Sequence, residues 1–211
     1  MFGPMKQVGW RLIIKRAFDV SVATAALVAT APILAVAGLA VRVTMGSPIL
    51  FRQTRPGLNA RPIRIFKLRT MRETVTASGP LPDAERLTPL GQLLRSTSID
   101  ELPQLINVLW GQMSIVGPRP LLMKYLDLYT DEQARRHDVL PGITGWSQVN
   151  GRNSLSWPEK LALDVWYVEN WGLFLDAKIL ARTALGVFRR EGISNADHVT
   201  MPELTNQRLT S

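Results

Sequence analysis

"VSVATAALVATAPILAVAGLAV", residues 20–41, is 22 residues without a charge. As one helix rising about 1.5 Å per residue it would extend roughly 33 Å, close to the hydrocarbon core of a bilayer at about 30 Å. The run therefore predicts contact with a membrane. Ala35-Val36-Ala37 has the small-residue pattern of a signal-peptide cleavage site. However, the leader ahead of the run carries Lys6, Arg11, Lys15, Arg16 and Asp19, and the apolar run continues past that site. Both features argue against a cleaved signal. Pro32, inside the run, lacks a backbone donor and clashes with the preceding turn, which predicts a bend at Ala31-Pro32. The flanks then decide between a kinked span and a helix that enters and returns. Lys15 and Arg16 precede the run; Arg42, Arg52, Arg55, Arg61, Arg64, Lys67, Arg69 and Arg72 follow it, with no acidic residue before Glu73. Basic segments favour the cytoplasmic side, so both ends are expected there. The expectation is a re-entrant membrane helix over about 20–41, within an N-terminal segment of residues 1–45.

The 211 residues suffice for one domain with a real core and are too few for two full-sized ones. A net charge of +8 calls for an anionic partner: nucleic acid, a phosphorylated substrate or acidic lipid headgroups. The absence of cysteine excludes disulfides, thiolate zinc sites and a cysteine nucleophile, and the only histidines, His137 and His198, make no histidine-rich metal site.

Downstream, "GSPILFRQTRPGLNARPIRIFKLRTM" (46–71) reads as two short strands, "PILF" and "IRIFKL", around turn formers, hence a β-hairpin. Residues 72–89 read as an exposed loop, and "LTPLGQLLRS" as a short helix. Leu102, Leu105, Ile106 and Leu109 follow i, i+3, i+4, i+7 spacing and predict another. "SIVGPRPLLMKYLDLY" (114–129) gives a rigid Gly-Pro-Arg-Pro turn and a further helix. "RRHDVLPGITGWSQVNGRNSLSW" (135–157) is turn-rich and reads as a binding loop. Ser156 and Glu159 fit a capping box opening a helix to about Asn170. Asp176 reads as the N-cap of "AKILARTALGVFRR" (177–190). With Trp157, Trp166, Tyr167, Trp171 and Phe174 upstream, that basic and apolar helix is expected to lie at a membrane surface. The fold class is therefore α/β, mainly α: a single membrane-associated domain with an N-terminal re-entrant membrane helix, a short β-hairpin and amphipathic interfacial helices. Residues 195–211 read as a flexible tail.

Chemistry is concentrated in "RSTSIDELPQLINVLWG" (95–111). Ser98 and Glu101 fit a capping box, which would make the acidic pair structural. The alternative places Asp100 at a helix N-terminus, where the dipole keeps a carboxylate ionised beside amides that can meet an anion. Adjacent residues on a helix point about 100° apart, so the pair cannot bracket a glycosidic bond as glycosidase carboxylates do. One carboxylate can attack while its neighbour helps hold a metal. Arg95 lies five residues upstream, Arg119 is fixed between Pro118 and Pro120, and Lys67 and Arg69 lie on the hairpin; such cations suit phosphate oxygens. Hard carboxylates without a Cys or His cluster favour Mg²⁺ bridging protein and phosphate.

"KRAFD", "ILFRQTRPGLN", "FKLRTM", "LRSTSIDELPQLINVLWGQMSIVGPRPLL", "RHDVLPGITGWSQVNGRN" and "LDVWYVENW" together resemble the small monotopic phosphoglycosyl transferases, or bacterial sugar transferases, over roughly residues 15–192. The family's common Ser-Pro helix break stands here as Ala31-Pro32. The resemblance implies a catalytic phosphoglycosyl transferase domain over 46–194. It implies transfer of a sugar 1-phosphate from a UDP-sugar to a polyprenol phosphate, usually undecaprenyl phosphate, as the first membrane step of glycan assembly. The site would lie on the cytoplasmic face of the bacterial inner membrane, bound monotopically among anionic lipids. By the same resemblance Asp100 is the nucleophile that forms an aspartyl phosphosugar as UMP leaves, and Asp100 and Glu101 hold Mg²⁺. Lys67, Arg95 and Arg119 fall at the family's phosphate- or nucleotide-binding positions; Asp164 is grouped with them as falling at an acidic position of the family to which the resemblance assigns no role. With no large multispan region ahead of the apolar helix, the chain is expected in the minimal class. Two readings compete: a membrane-anchored nucleic-acid-binding protein using the basic 42–72 segment, and a non-catalytic subunit of envelope polysaccharide assembly. Nucleic acid is not expected as a partner if the acidic pair is functional.

Overall fold

The computed structural model describes residues 9–72, 75–76, 79–151, 155–189 and 204. The apolar run forms part of one 36-residue helix, α1 (Trp10–Met45), which begins ten residues before the uncharged stretch. It continues through Ala31-Pro32 as one element, and the expected bend is marked by no break in the helix. Thr30 donates its hydroxyl to the Ala26 carbonyl at 2.7 Å, a back-bond that supplies a side-chain partner next to the proline. Among the described residues, α1 is the one helix long and apolar enough to cross a membrane.

The hairpin forms as expected. β1 (Leu50–Pro56) and β2 (Pro62–Leu68) pair antiparallel, with Leu50 opposite Leu68 and Pro56 opposite Pro62. Within the 72–89 stretch, the described residues form more secondary structure than the loop expected from its polarity. It carries a two-residue ladder, β3 (Val75–Thr76) with β4 (Gly79–Pro80), and a helical turn, α2 (Asp83–Arg86). Helix α3 (Pro89–Ser96) starts where Thr88 caps the Gly91 amide and proline occupies the first turn.

Four further segments correct the sequence reading. The segment at 104–109 is only a short helix, α4 (Gln104–Leu109), preceded by a 3₁₀ turn over Ile99–Glu101. The expected helix after Gly117-Pro118-Arg119-Pro120 is a 3₁₀ turn over Met123–Leu128. Ser114–Val116 (β5) pairs in parallel with Gly142–Thr144 (β6), inside what read as a loop. Helices α5 (Asp131–Ala134) and α6 (Trp146–Val149) flank that strand in sequence. Helix α7 (Trp157–Asn170) carries the expected capping box, Ser156 with Glu159. The next helix, α8 (Leu173–Arg189), opens before Asp176, which is not its N-cap but a buried charge in its first turn. The tail expectation falls outside the described residues except at Leu204, which is buried against Tyr125, Tyr129 and Leu161.

The main core gathers Ala23 of α1, Ile65 of β2, Leu105 and Val108 of α4, Ile115 and Val116 of β5, and Tyr167 and Val168 of α7. A second cluster joins Ala37 and Val41 of α1 to Leu68 and Leu94. Helix α1 thus packs on the body with both of its limbs. Charged groups fasten it. Lys15, nearly fully buried, sits 2.6 Å from Asp176 Oδ2 and 3.7 Å from Asp19, and donates to the Val116 carbonyl at 3.3 Å. Tyr167 donates to the other Asp176 oxygen at 2.7 Å. Arg16 reaches the carbonyls of Val108 (2.5 Å) and Leu109 (2.8 Å), capping the C-terminus of α4. Arg69 likewise donates to the carbonyls of Met45, Gly46 and Ser47 at the end of α1, so it is spent on the fold rather than on a phosphate.

Candidate active site

The capping-box reading of Ser98 and Glu101 fails on geometry. Ser98 adopts a left-handed backbone (φ 57°) and its side chain caps nothing. Glu101 turns instead toward two cations. Lys67 of β2 lies 2.6 Å from Glu101 Oε1; Arg119 places Nη2 at 2.5 Å from the same oxygen and Nη1 at 3.2 Å from Oε2. This is a two-point guanidinium fork on a carboxylate, further clamped by an ammonium. Burial pushes the Glu101 carboxyl up, but Arg119 and Lys67 outweigh it and hold it well below the ordinary carboxylate range.

Asp100 has the opposite environment. Its side chain is buried and, among the described residues, accepts no hydrogen bond. Burial first, then the neighbouring Glu101 charge, raise its carboxyl from 3.8 to about 6, against Lys67, Arg95 and Arg119. Two adjacent carboxylates are thus driven apart: one permanently ionised and locked, the other open and more basic.

The elements that deliver these groups are fixed from behind. Asn107, fully buried on α4, accepts from the Phe66 amide at 3.3 Å and donates to the Arg64 carbonyl at 2.7 Å, which ties α4 to the strand carrying Lys67. Gly117 lets the Arg119 turn approach β6, since a Cβ there would lie 2.4 Å from the Leu140 carbonyl oxygen. Arg95, in the last turn of α3, donates from Nε to Thr70 at 3.0 Å while its charge reaches Asp100.

Of the residues singled out from sequence, Lys67, Asp100, Glu101 and Arg119 converge, and Arg95 stands beside them. Asp164 does not join the cluster directly. It is buried, with Oδ2 held by Arg136 at 2.6 and 3.2 Å and Oδ1 by Ser147 at 2.7 Å. Arg136 in turn donates to the Arg119 carbonyl at 2.7 Å. Asp164 therefore acts on Arg119 through Arg136, a residue the sequence reading passed over because a buried arginine in "RRHD" carries no mark that separates it from a solvated one. Arg152 and Asn153 of the turn-rich loop lie outside the described residues.

Asp100 and Glu101 offer hard oxygens, and the described residues hold no group of three His, Cys, Asp or Glu able to enclose a metal. A cation here would take most of its ligands from water and phosphate, a pattern that fits Mg²⁺ and does not fit zinc. Asp100 is the open donor of the two, while Glu101 shares its oxygens with Lys67 and Arg119.

An open, basic carboxylate among cations, in a body packed on a long apolar helix, is the equipment of a membrane-associated group-transfer enzyme. The chain belongs to the bacterial sugar transferase family, whose model matches residues 10–190. It is 53% identical over 195 residues to the uncharacterized sugar transferase EpsL of Bacillus subtilis (strain 168), covering 92% of this chain and 96% of that one. It is 40% identical over 192 residues to the UDP-glucose:undecaprenyl-phosphate glucose-1-phosphate transferase of Escherichia coli (strain K12), covering 85% of this chain and 41% of the relative. The undecaprenyl-phosphate galactose phosphotransferase of Salmonella typhimurium (strain LT2) is 36% identical over 198 residues, with 85% and 41% covered. The chain thus spans nearly all of the Bacillus relative and about two fifths of the other two.

Proposed function

We propose that this enzyme transfers a sugar 1-phosphate from a UDP-sugar to a polyprenol phosphate, as undecaprenyl phosphate, to give a polyprenyl diphosphosugar and UMP. The observation that carries the reading is the contrast between Asp100, open and buried, and Glu101, locked by Lys67 and Arg119. With a pKa of about 6, Asp100 is roughly nine-tenths ionised at pH 7, yet more basic than an ordinary aspartate. Its Oδ attacks the sugar-linked phosphorus; the P–O bond to the UMP phosphate breaks and UMP leaves with the electron pair. The lipid phosphate oxygen then attacks the aspartyl phosphosugar and releases Asp100 as carboxylate. Arg119 and Lys67, preorganised on Glu101, face the charge that moves to the leaving phosphate, and Arg95 adds a cation on the Asp100 side. Asp100 and Glu101 would hold Mg²⁺, which when bound neutralises diphosphate charge.

The packing of α1 supports a re-entrant placement. The last residue of its first limb packed on the body is Leu27 and the first of its second limb is Leu34. Six residues lie between, about 9 Å of helix, against the ~30 Å that a span through hydrocarbon requires. Both limbs then belong on the side of the body, which in a bacterium with cytoplasmic nucleotide sugars is the cytoplasmic face of the inner membrane. Exposed Phe174 and Leu185 on α8, with Trp110 beyond α4, suit the same lipid surface.

The test is chemical. Full-length protein given UDP-sugar and Mg²⁺ without polyprenol phosphate should release one burst of UMP and gain one sugar phosphate on the peptide containing Asp100. Asp100→Asn should remain folded and membrane-bound with neither burst nor adduct. Near-normal turnover by Asp100→Asn would refute the assignment, and a wild type that turns over without an adduct would favour direct transfer.

A further inference from the structure

The proposed reaction handles three phosphate groups: two on the nucleotide sugar and one on the lipid. The cations described so far account for only part of that charge, because Lys67 and Arg119 already share Glu101. Arg55, at the far end of β1, differs from both. It is half-buried and, among the described residues, forms no ion pair with a carboxylate and no stack on an aromatic ring. Its Nη2 donates to Gln53 Oε1 at 2.6 Å, while Nε is buried and has no hydrogen-bond partner. Such a group leaves donors and a full charge unspent, which costs free energy unless an anion visits.

Its position says which anion. β1 packs on the 3₁₀ turn Met123–Leu128, and the hairpin tip Leu58–Ala60 packs on Arg135–His137, the turn whose Arg136 holds the Arg119 carbonyl. This brings Arg55 within electrostatic range of Arg119 and Glu101, with the phenols of Tyr125 and Tyr129 nearby. Burial first, then the repulsion of Arg119, press its guanidinium down to about 10, against the opposing pull of Glu101. The unspent donors of Arg55, beside two phenols and in the field of Arg119, suit a phosphate, which can accept from that guanidinium while Arg119 stays on Glu101.

We infer that Arg55, with Arg119 beside it, builds a phosphate subsite for the group that Asp100 does not attack: the nucleotide phosphate that leaves or the phosphate of the lipid acceptor. The inference rests on the transfer reading for its substrates, and on the placement of Arg55 for its location. Arg55→Gln removes the charge and most donors; Arg55→Lys keeps the charge without the fork; Arg61→Gln removes an exposed charge from the same hairpin as a control. In full-length protein, Arg55→Gln should raise the KM for one phosphate substrate at least tenfold with a smaller fall in kcat. Arg55→Lys should recover part of the loss, and Arg61→Gln should match wild type. A KM change confined to the UDP-sugar, with UMP bound correspondingly more weakly, identifies the nucleotide phosphate; one confined to polyprenol phosphate identifies the lipid. Both KM values and the UMP affinity staying within twofold of wild type would overturn the subsite. So would a fall in kcat and melting temperature with both KM values unchanged, which marks a structural arginine. Should the wild type turn over no UDP-sugar, the transfer reading fails by itself, and inorganic pyrophosphate binding decides the subsite: weaker binding by Arg55→Gln than by wild type sustains it, and equal or absent binding ends it.

Discussion

Replacing Asp164 with asparagine tests how Arg119 is held. The Arg136 and Asp164 side chains are each 1% exposed and meet at 2.6 Å, so the substitution keeps the shape and leaves a guanidinium buried beside a neutral amide. Breaking a buried pair from one side costs about 3–5 kcal/mol. Against a total stability of about 5–15 kcal/mol this is a large share. At about 2–4 °C per kcal/mol for a chain of this size, the melting temperature should fall by roughly 6–20 °C. Arg136 also donates to the Arg119 carbonyl at 2.7 Å, so loosening it should misplace the fork on Glu101 and slow transfer on the order of tenfold to a hundredfold. The double variant Asp164→Leu with Arg136→Met separates the two effects. Exchanging both charges for apolar groups should restore much of the stability, while the Arg119 carbonyl remains unheld and transfer remains slow. Thermal unfolding in lipid nanodiscs and UMP release measure the two readouts. An Asp164→Asn variant melting within about 2 °C of wild type, or a double variant with full activity, would refute the reasoning.

Gly117→Ala should cost about 1–3 kcal/mol and slow transfer, because the new Cβ would meet backbone atoms of Leu140, Pro141 and Gly142 two residues before Arg119; wild-type melting and turnover would show that the turn can shift freely. His137 gives a pH dependence. Burial, then the Arg136 charge, lower its pKa from 6.5 to about 4, so between those values the unfolded chain binds the proton and the folded one does not. Stability should fall as pH drops from 6.5 toward 4. Asp100, raised to about 6, acts in the opposite sense between 3.8 and 6, so the His137→Phe variant is the reference that isolates the histidine: its melting temperature should decline less than that of wild type over this window, and an equal decline would exclude His137. For α1, cysteines introduced singly as Met5→Cys and Thr44→Cys in this cysteine-free chain should label from the same side of sealed vesicles; opposite labelling would establish a span.

What was legible in the sequence is what local periodicity and local chemistry control. The apolar run, the 50–68 hairpin, and the Ser156–Glu159 capping box depend on neighbours a few residues away, and each forms. At three places the misreading has one cause: a deciding partner far along the chain. Ser98 and Glu101 satisfy the capping-box spacing, yet Glu101 is taken by Lys67, 34 residues earlier, and by Arg119, 18 residues later. Asp176 fits an N-cap in sequence, but Lys15, Tyr167 and Trp171 draw it into the core. β5 and β6 are three residues each, too short for alternation to show, and their pairing joins segments that each read as turn. At the site, the residues that touch the dyad could be named from the cations and carboxylates around it, whereas Asn107 and Arg136, which act through buried contacts, could not.

Lys15 and Arg16 carry the broader lesson about how this site is built. As a pair before an apolar run they read as flanking charges that set topology, and that argument counts their sign alone. In the fold they are spent inside the protein: Lys15 on Asp176 and the Val116 carbonyl, Arg16 on the carbonyls of Val108 and Leu109. Val116 ends the strand that leads through Gly117-Pro118 into Arg119, and Val108 and Leu109 end the helix that follows Asp100-Glu101. Two adjacent side chains on one turn of α1 therefore brace both elements from which the dyad and its clamp project. The apolar helix is part of the frame of the site and not a tether attached to it. A bond network of this kind fixes the height of Asp100 relative to whatever surface α1 enters, and the transfer proposed above, in which Asp100 would pass a phosphosugar to a lipid phosphate, would need that height fixed. This accounts for Lys15 being buried and Arg16 half-buried at the entrance to an uncharged helix, at a desolvation cost that lysine and arginine snorkelling to the headgroups would not incur.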